Sequence, residues 1–296
     1  MLSYTGRRNL WVDITNNNSA THLSLGDRLM NTITRQILAK SWWFLFVQKD
    51  ETTVANTQAY KLPGDCAKLT SAPYITISSQ RYTPKKCPTR RFWDKLNRST
   101  TYNDIPQWFY VTGNECLFWP IFSTSGNTIT FNYRKMIKDL SIADYTEGTI
   151  TTATNGSTEI KGDGTTWTSA MAGRYLKITS ENGDGIWYKI ASVTDNTTIV
   201  LDQKYVGSDI SSGSENYEIG EMSLLPYGFG ALPVYKAAEI YYTSIKPDAQ
   251  KATLYKGLFS ELYSQFKAEH GATTDILTSD EEDESVADNP NLYVTL

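Results

Sequence analysis

The sequence predicts an α+β protein: an antiparallel β-sandwich or barrel core, a helical bundle made by an N-terminal helix and two C-terminal helices, and an inserted small all-β module. Three observations carry this. The 296 residues include 37 Thr and 37 aromatic residues, types that favour strands. Short alternating runs divided by turn signals fill the middle of the chain. Apolar residues at helical spacing cluster near its two ends. Charged residues make up only 20%, which excludes a disordered polyelectrolyte and a coiled-coil rod.

The first element follows a polar, turn-rich stretch at 13–20. Leu25, Leu29, Ile33 and Ile37, with Met30 and Leu38 beside them, form an amphipathic stripe that predicts a helix near 23–41. It runs into Trp42-Trp43-Phe44-Leu45-Phe46, which reads as a strand. Strands and turns then alternate from 50 to 140. Tyr60-Lys61-Leu62 leads into a Pro63-Gly64 turn. Trp108–Val111 and Cys116–Trp119 flank Gly113-Asn114 and predict a hairpin. Thr128–Tyr133 alternates strictly.

The stretch 146–221 reads as a module of its own. Eleven of the 37 Thr fall between 151 and 200. Turn signals recur at Asn155-Gly156, Gly162-Asp163-Gly164, Asn182-Gly183-Asp184-Gly185 and Asp195-Asn196. Between them sit Tyr175–Ile178, Ile186–Ile190 and Thr198–Leu201, the spacing of a small barrel or sandwich. Helices return after Pro233. Val234, Ala237, Ala238, Tyr241 and Ile245 form one face, and Pro247 breaks it. Asp248 caps a second helix with Leu254, Leu258, Leu262 and Phe266 at i+4 spacing, stopped by Gly271. The expected organisation is a core formed by 1–145 and 222–274, the module 146–221, and an acidic tail 275–296.

Little in the sequence suggests reaction chemistry. The two histidines, His22 and His270, stand outside any Ser-His-Asp or HExxH context and read as solvated or capping groups. Gly162-Asp163-Gly164-Thr165-Thr166 lacks the lysine of a phosphate cradle and reads as a turn. Asp163 and Asp184 do not match an EF-hand loop. Cys66, Cys87 and Cys116 have no zinc-pair spacing and read as reduced thiols of a protein made in a cytoplasm. Trp42, Trp43, Trp108 and Trp119 lie in apolar runs and read as core, although aromatics also suit a sugar platform. No cofactor or metal is expected. No signal-peptide pattern is seen. No apolar run approaches the roughly 18 residues of a membrane span.

Charge is more informative. The net charge of −4 argues against a generic nucleic-acid binder, but it averages two opposite segments. Arg81, Lys85, Lys86, Arg90, Arg91, Lys95 and Arg98 face one acid, Asp94. From Asp275 onward there are seven acids and no bases, including Asp280, Glu281, Glu282, Asp283 and Glu284, followed by the apolar Leu292-Tyr293. The basic segment has three readings: a solvated loop, a surface that pairs with an acidic neighbour, or a contact for nucleic-acid phosphates. The acidic one has two: a solubilising tail, or an arm that docks on a partner. These residues are the candidate interface.

The order of elements resembles the phage head-to-tail adaptor, or connector, proteins. A helix with Leu29-Met30-Asn31 and Ile33 to Leu38 leads to Ser41-Trp42-Trp43-Phe44. Tyr60-Lys61-Leu62-Pro63-Gly64-Asp65 follows. Then come Pro106-Gln107-Trp108-Phe109-Tyr110, Phe118-Trp119-Pro120, Tyr133-Arg134-Lys135 and Leu140-Ser141, and the closing helices at 233–268. The resemblance covers roughly 25–140 and 222–270.

It implies a structural virion protein, not an enzyme, made in the host cytoplasm and placed at the head–tail junction. It implies a ring, typically a dodecamer, beneath the portal protein, with a tail, nozzle or further neck protein below. DNA would pass through the lumen unread, and no membrane would be involved. The module at 146–221 departs from the shortest adaptors and is similar to small β-modules of other virion proteins. The alternatives are a tail-fibre or receptor-binding virion protein, a glycan-degrading enzyme, and a cellular carbohydrate-binding module.

Overall fold

In the computed structural model, which describes residues 2–271, Ser3 opens the first helix by accepting the Gly6 N–H on its hydroxyl at 3.0 Å. Helix α1 spans Tyr4–Thr15, and only a short turn separates it from α2, Ala20–Leu38. The sequence predicts a first helix only near 23–41, so α1 is an addition to that reading. The buried residues of α1 are Tyr4, Arg7, Trp11 and Thr15. Their spacing is helical, but half of them are polar, so no apolar stripe betrays the helix. The buried face of α2 is also shifted. It holds His22, Gly26, Met30, Ile33, Thr34, Ile37 and Leu38, while Leu25 and Leu29 are half-exposed.

Described in this way, the chain forms two compact units: residues 1–40 with 138–269, and residues 41–137 with His270. The second unit starts with a turn of 3-10 helix, Trp43–Leu45, where a strand was expected. Strand β1 begins only at Phe46 and runs through Thr52. The aromatic run divides between inside and outside: Trp42 is buried and Trp43 is 53% exposed. Trp108 and Trp119 are half-buried. The reading of all four tryptophans as core therefore holds fully only for Trp42.

The remaining elements of this unit are β2 (Ala59–Lys61), β3 (Cys66–Leu69), β4 (Tyr74–Ile77), β5 (Gln80–Tyr82), β6 (Lys85–Lys86), helix α3 (Arg90–Leu96), β7 (Trp108–Thr112), β8 (Glu115–Trp119) and β9 (Thr128–Lys135). One sheet has the order β1-β9-β4-β5, with β3 also on β9. The other has the order β2-β8-β7-β6. All pairings are antiparallel except β6 with β7. Ile75, Ile129, Phe131 and Tyr133 from the first sheet and Tyr60, Phe109, Cys116 and Phe118 from the second share one core. Two sheets over one core make a β-sandwich. Burial pushes the Cys116 thiol well above its usual value, so it packs as a small apolar group.

The first unit continues with β10 (Thr149–Ala153), β11 (Glu159–Asp163), β12 (Tyr175–Ile178), β13 (Tyr188–Asp195), β14 (Thr198–Leu201), β15 (Ile210–Glu215) and β16 (Tyr217–Gly220). The sheet order is β15-β10-β11-β14-β13-β12-β16. Its two ends, β15 and β16, are separated in sequence only by Asn216, so one bent strand pairs with β10 by its first half and with β12 by its second. The sheet thus closes on itself, and closure removes the exposed edges that invite aggregation. Ile150, Ile160, Leu176, Ile190, Ile199 and Ile219 fill its interior. Trp167 donates its indole N–H to the Tyr217 hydroxyl at 2.9 Å, which satisfies the buried nitrogen. Gly148 shows why a glycine stands beside this sheet: its φ is +79° and a Cβ would lie 2.5 Å from the Asp163 carbonyl.

Helix α4 spans Leu232–Ile240 and runs on as a π-helical turn, Tyr241–Ile245. The Tyr242 hydroxyl donates to the Ile14 carbonyl at 2.8 Å, which ties this turn to α1 in the expected bundle. Helix α5 spans Ala249–His270. Asp248 caps it by accepting the Lys251 N–H at 3.0 Å. Its expected leucine stripe is not a core stripe. Leu254 is 55% exposed and only Phe266 is fully buried, against Phe229. The helix is held partly by ring stacking instead, with Tyr255 lying flat on Tyr242 at 5.9 Å.

Candidate functional site

Strand alternation builds the basic surface of the second unit. Along β7, Phe109 and Val111 turn into the core. Trp108 and Tyr110 point to the opposite face, as the period of two requires. Helix α3 sits there. Phe92 packs on Trp108 with ring centroids 4.9 Å apart. Trp93, 2% exposed, stacks on Tyr110 at 5.7 Å with 20° between planes. The approach to the helix is fixed by backbone bonds. Lys85 N–H donates to Gln107 O and Cys87 N–H to Phe109 O, both at 2.8 Å. Thr89 then caps α3 by accepting the Phe92 N–H at 3.2 Å.

The seven predicted bases fall into two sets. Arg90 is paired: its Nε lies 2.8 Å from Asp94 and its guanidinium 5.8 Å from the Tyr110 ring. The Asp94 carboxylate raises its pKa further. Arg81 lies over the Tyr74 ring at 4.6 Å, and Lys85 and Lys86 are exposed on β6. Arg91, Lys95 and Arg98 are the second set. At 100° per residue Arg91 and Lys95 fall within a roughly 40° arc, turned roughly 130° from Phe92, Trp93 and Leu96, and Arg98 follows in the turn just after the helix. All three are exposed. None forms an ion pair among the described residues. The segment therefore folds as short strands and a helix whose apolar side packs on the sheet and whose charged side faces solvent. The acidic candidates Asp280, Glu281, Glu282, Asp283 and Glu284, with Leu292 and Tyr293, lie outside the described residues.

Charge separates more widely than the sequence reading noticed. Residues 41–137 carry twelve bases and six acids, whereas 146–221 carry five bases and eleven acids. Counting over these long stretches, instead of over short runs, exposes this.

A buried polar clasp was also missed. In the first unit the Glu221 carboxylate accepts from Lys138 at 2.6 Å, the Ser141 N–H at 2.8 Å and the Ile142 N–H at 3.0 Å. Burial opposes its ionisation, but these bonds prevail and hold its pKa below the ordinary value. Ser3 donates to Asp144 at 2.5 Å. Arg174 donates to the carbonyls of Ala143 and Ile219 at 2.9 and 2.6 Å. Arg7, 1% exposed, reaches Ser223 at 2.5 Å and Thr34 at 3.3 Å, and burial lowers its pKa to about 10. The clasp joins the chain start, residues 138–145 and the end of β16. It leaves no short motif because its members are far apart in sequence.

His22 corrects another expectation. It is buried, not solvated, and stacks on Trp11 at 5.0 Å with 18° between planes. The Thr15 hydroxyl donates to the Trp11 carbonyl at 2.7 Å, so it accepts from the His22 Nε2–H at 2.8 Å. The imidazole serves packing. A polar groove of about 380 Å³ lies between α1, α2 and residues 139–141. Within it Arg35 pairs with Asp139 at 2.8 Å and the Tyr4 hydroxyl donates to Asp27 at 2.9 Å, while Arg28 stands exposed on its lining. Among the described residues no group of three or more His, Cys, Asp or Glu is placed to hold a metal ion. No described helix is long and apolar enough to cross a membrane.

A family model described as SU10 adaptor protein matches residues 7–155. That stretch is half of the chain: most of α1, all of α2, the whole β-sandwich and the first strand of the closed sheet. The class it defines is a structural adaptor of the phage particle. The chain belongs to the SU10 adaptor protein family. No curated protein matches it.

Proposed function

We propose that this chain is the head-to-tail adaptor of its phage, a virion protein that assembles as a ring beneath the portal, joins capsid to tail and encloses the DNA channel. The family match over residues 7–155 carries the reading. A ring is a heterologous interface that closes, so each copy needs two different and complementary surfaces. The basic row on α3 and the acidic segment beyond Asp275 supply opposite charge for such a pair. In this reading 146–221 acts as a module decorating the ring or meeting tail components, and the chain has no catalytic task.

Electron microscopy of the full chain with its portal protein tests this. A cyclic ring seated on the portal, with about twelve copies as resembling adaptors have, is the expected image. Absence of portal binding overturns it, and isolated three-fold particles would favour a fibre. A cleared zone on a peptidoglycan gel would overturn the non-enzymatic part.

A further inference from the structure

We infer that the row Arg91–Lys95–Arg98 is a docking site for the acidic segment Asp280–Glu284 of an adjacent copy of this chain. The inference deepens the ring reading and rests on it for the adjacent copy.

The geometry of the row is specific. Helix α3 spends its apolar side, Phe92 and Trp93, on Trp108 and Tyr110. Its single acid, Asp94, is spent on Arg90. What remains is three exposed cations, Arg91 and Lys95 on one helix face and Arg98 in the turn that follows, with no carboxylate partner among the described residues. Because the helix is pinned by two aromatic contacts and a Thr89 cap, the cations share a firm base and lose little freedom on pairing. The row rises about 6 Å along the helix from Arg91 to Lys95, and Arg98 follows in the turn just after it.

The occupant is drawn from the same chain. Residues 280–284 are five consecutive acids, and no base occurs after Asp275. In an extended segment alternate carboxylates recur about every 7 Å, close to the step from Arg91 to Lys95. From Gly271 to Asp280 the chain can span at most about 30 Å. Each contact is exposed and individually weak, so the docking depends on several pairs together and on ionic strength.

The test uses the full chain carrying Asp280→Lys, Glu282→Lys and Glu284→Lys, whose own segment no longer competes, and a fluorescent peptide of residues 275–296. Anisotropy should rise saturably as protein is added. Adding Arg91→Glu, Lys95→Glu and Arg98→Glu to that chain should weaken binding by about tenfold or more, as should raising the salt to about 0.5 M, where the Debye length falls to a few Å. Circular dichroism melts unchanged by the three reversals show that α3 is intact. A second measurement separates copies. Chains reversed only in the row and chains reversed only in the segment should each assemble poorly, yet assemble when mixed. Recovery in the doubly reversed chain without recovery in the mixture overturns docking between copies. A peptide that does not bind, or binds equally with the row reversed, overturns the inference outright. A ring on the portal in spite of that result leaves the adaptor reading intact, whereas peptide binding without any ring overturns that reading and not the docking chemistry.

Discussion

The indole of Trp93 lies nearly parallel to the phenol of Tyr110, with ring centroids 5.7 Å apart. This stack turns a seven-residue helix, too short to persist alone, into a fixed platform for charge. Trp93→Ala removes a fully buried ring and should cost about 3 kcal/mol or more. Arg91→Ala, on the exposed side of the same helix, should change stability by less than about 0.5 kcal/mol. Chemical denaturation of the two variants checks the contrast; equal losses would show that the helix is not anchored through its apolar side.

Gly26 stands in the middle of α2, where alanine is intrinsically preferred by about 1 kcal/mol. Here the preference should be reversed. A Cβ at Gly26 would lie 2.6 Å from the Trp11 Nε1 and 2.8 Å from its Cδ1. Trp11 is wedged against His22 and Tyr241 and has nowhere to move. Gly26→Ala should therefore destabilise by about 1–3 kcal/mol, read as a lower melting temperature.

The Glu221 carboxylate is held ionised by Lys138 and two backbone N–H groups. Its folded pKa lies below its unfolded one. The stabilisation is therefore complete above the unfolded value, about 4.3, and is lost as pH falls through the folded value. Glu221→Gln should lower stability at neutral pH and flatten its decline between pH 5 and pH 3. Urea midpoints across that range measure this, and parallel curves for the two proteins would contradict it.

Burial, aided by the charge of Lys246, lowers the pKa of His22. The unfolded chain then binds a proton more readily, so stability present above about pH 6.5 should diminish as pH falls through that value toward the folded one. His22→Gln should lose this component between pH 7.5 and pH 5.5 while keeping the decline at lower pH assigned to Glu221. A double-mutant comparison of unfolding midpoints separates the two windows.

The α+β class, the all-β character of 149–220, the hairpin at Trp108–Trp119 and the Asp248 cap were determined by the sequence itself, because each rests on local periodicity or turn chemistry within about a dozen residues, whereas closure of that sheet was decided by distant strands, β15 reaching β10 and β16 reaching β12. The basic face was visible as composition. Its division into a paired Arg90 and an exposed row of three was decided by packing, since the Trp93–Tyr110 stack fixes which side of α3 meets the sheet. Helix α1 stayed hidden for a related reason: its inward side carries Arg7 and Thr15, whose partners Ser223 and His22 on other elements become apparent only in three dimensions. The clasp around Glu221 and the burial of His22 likewise depend on residues distant in the chain. Charge runs and periodic patterns are properties of neighbours in sequence; what a polar side chain is bonded to, and therefore whether it faces water or the interior, was decided only when the tertiary fold brought its partners together.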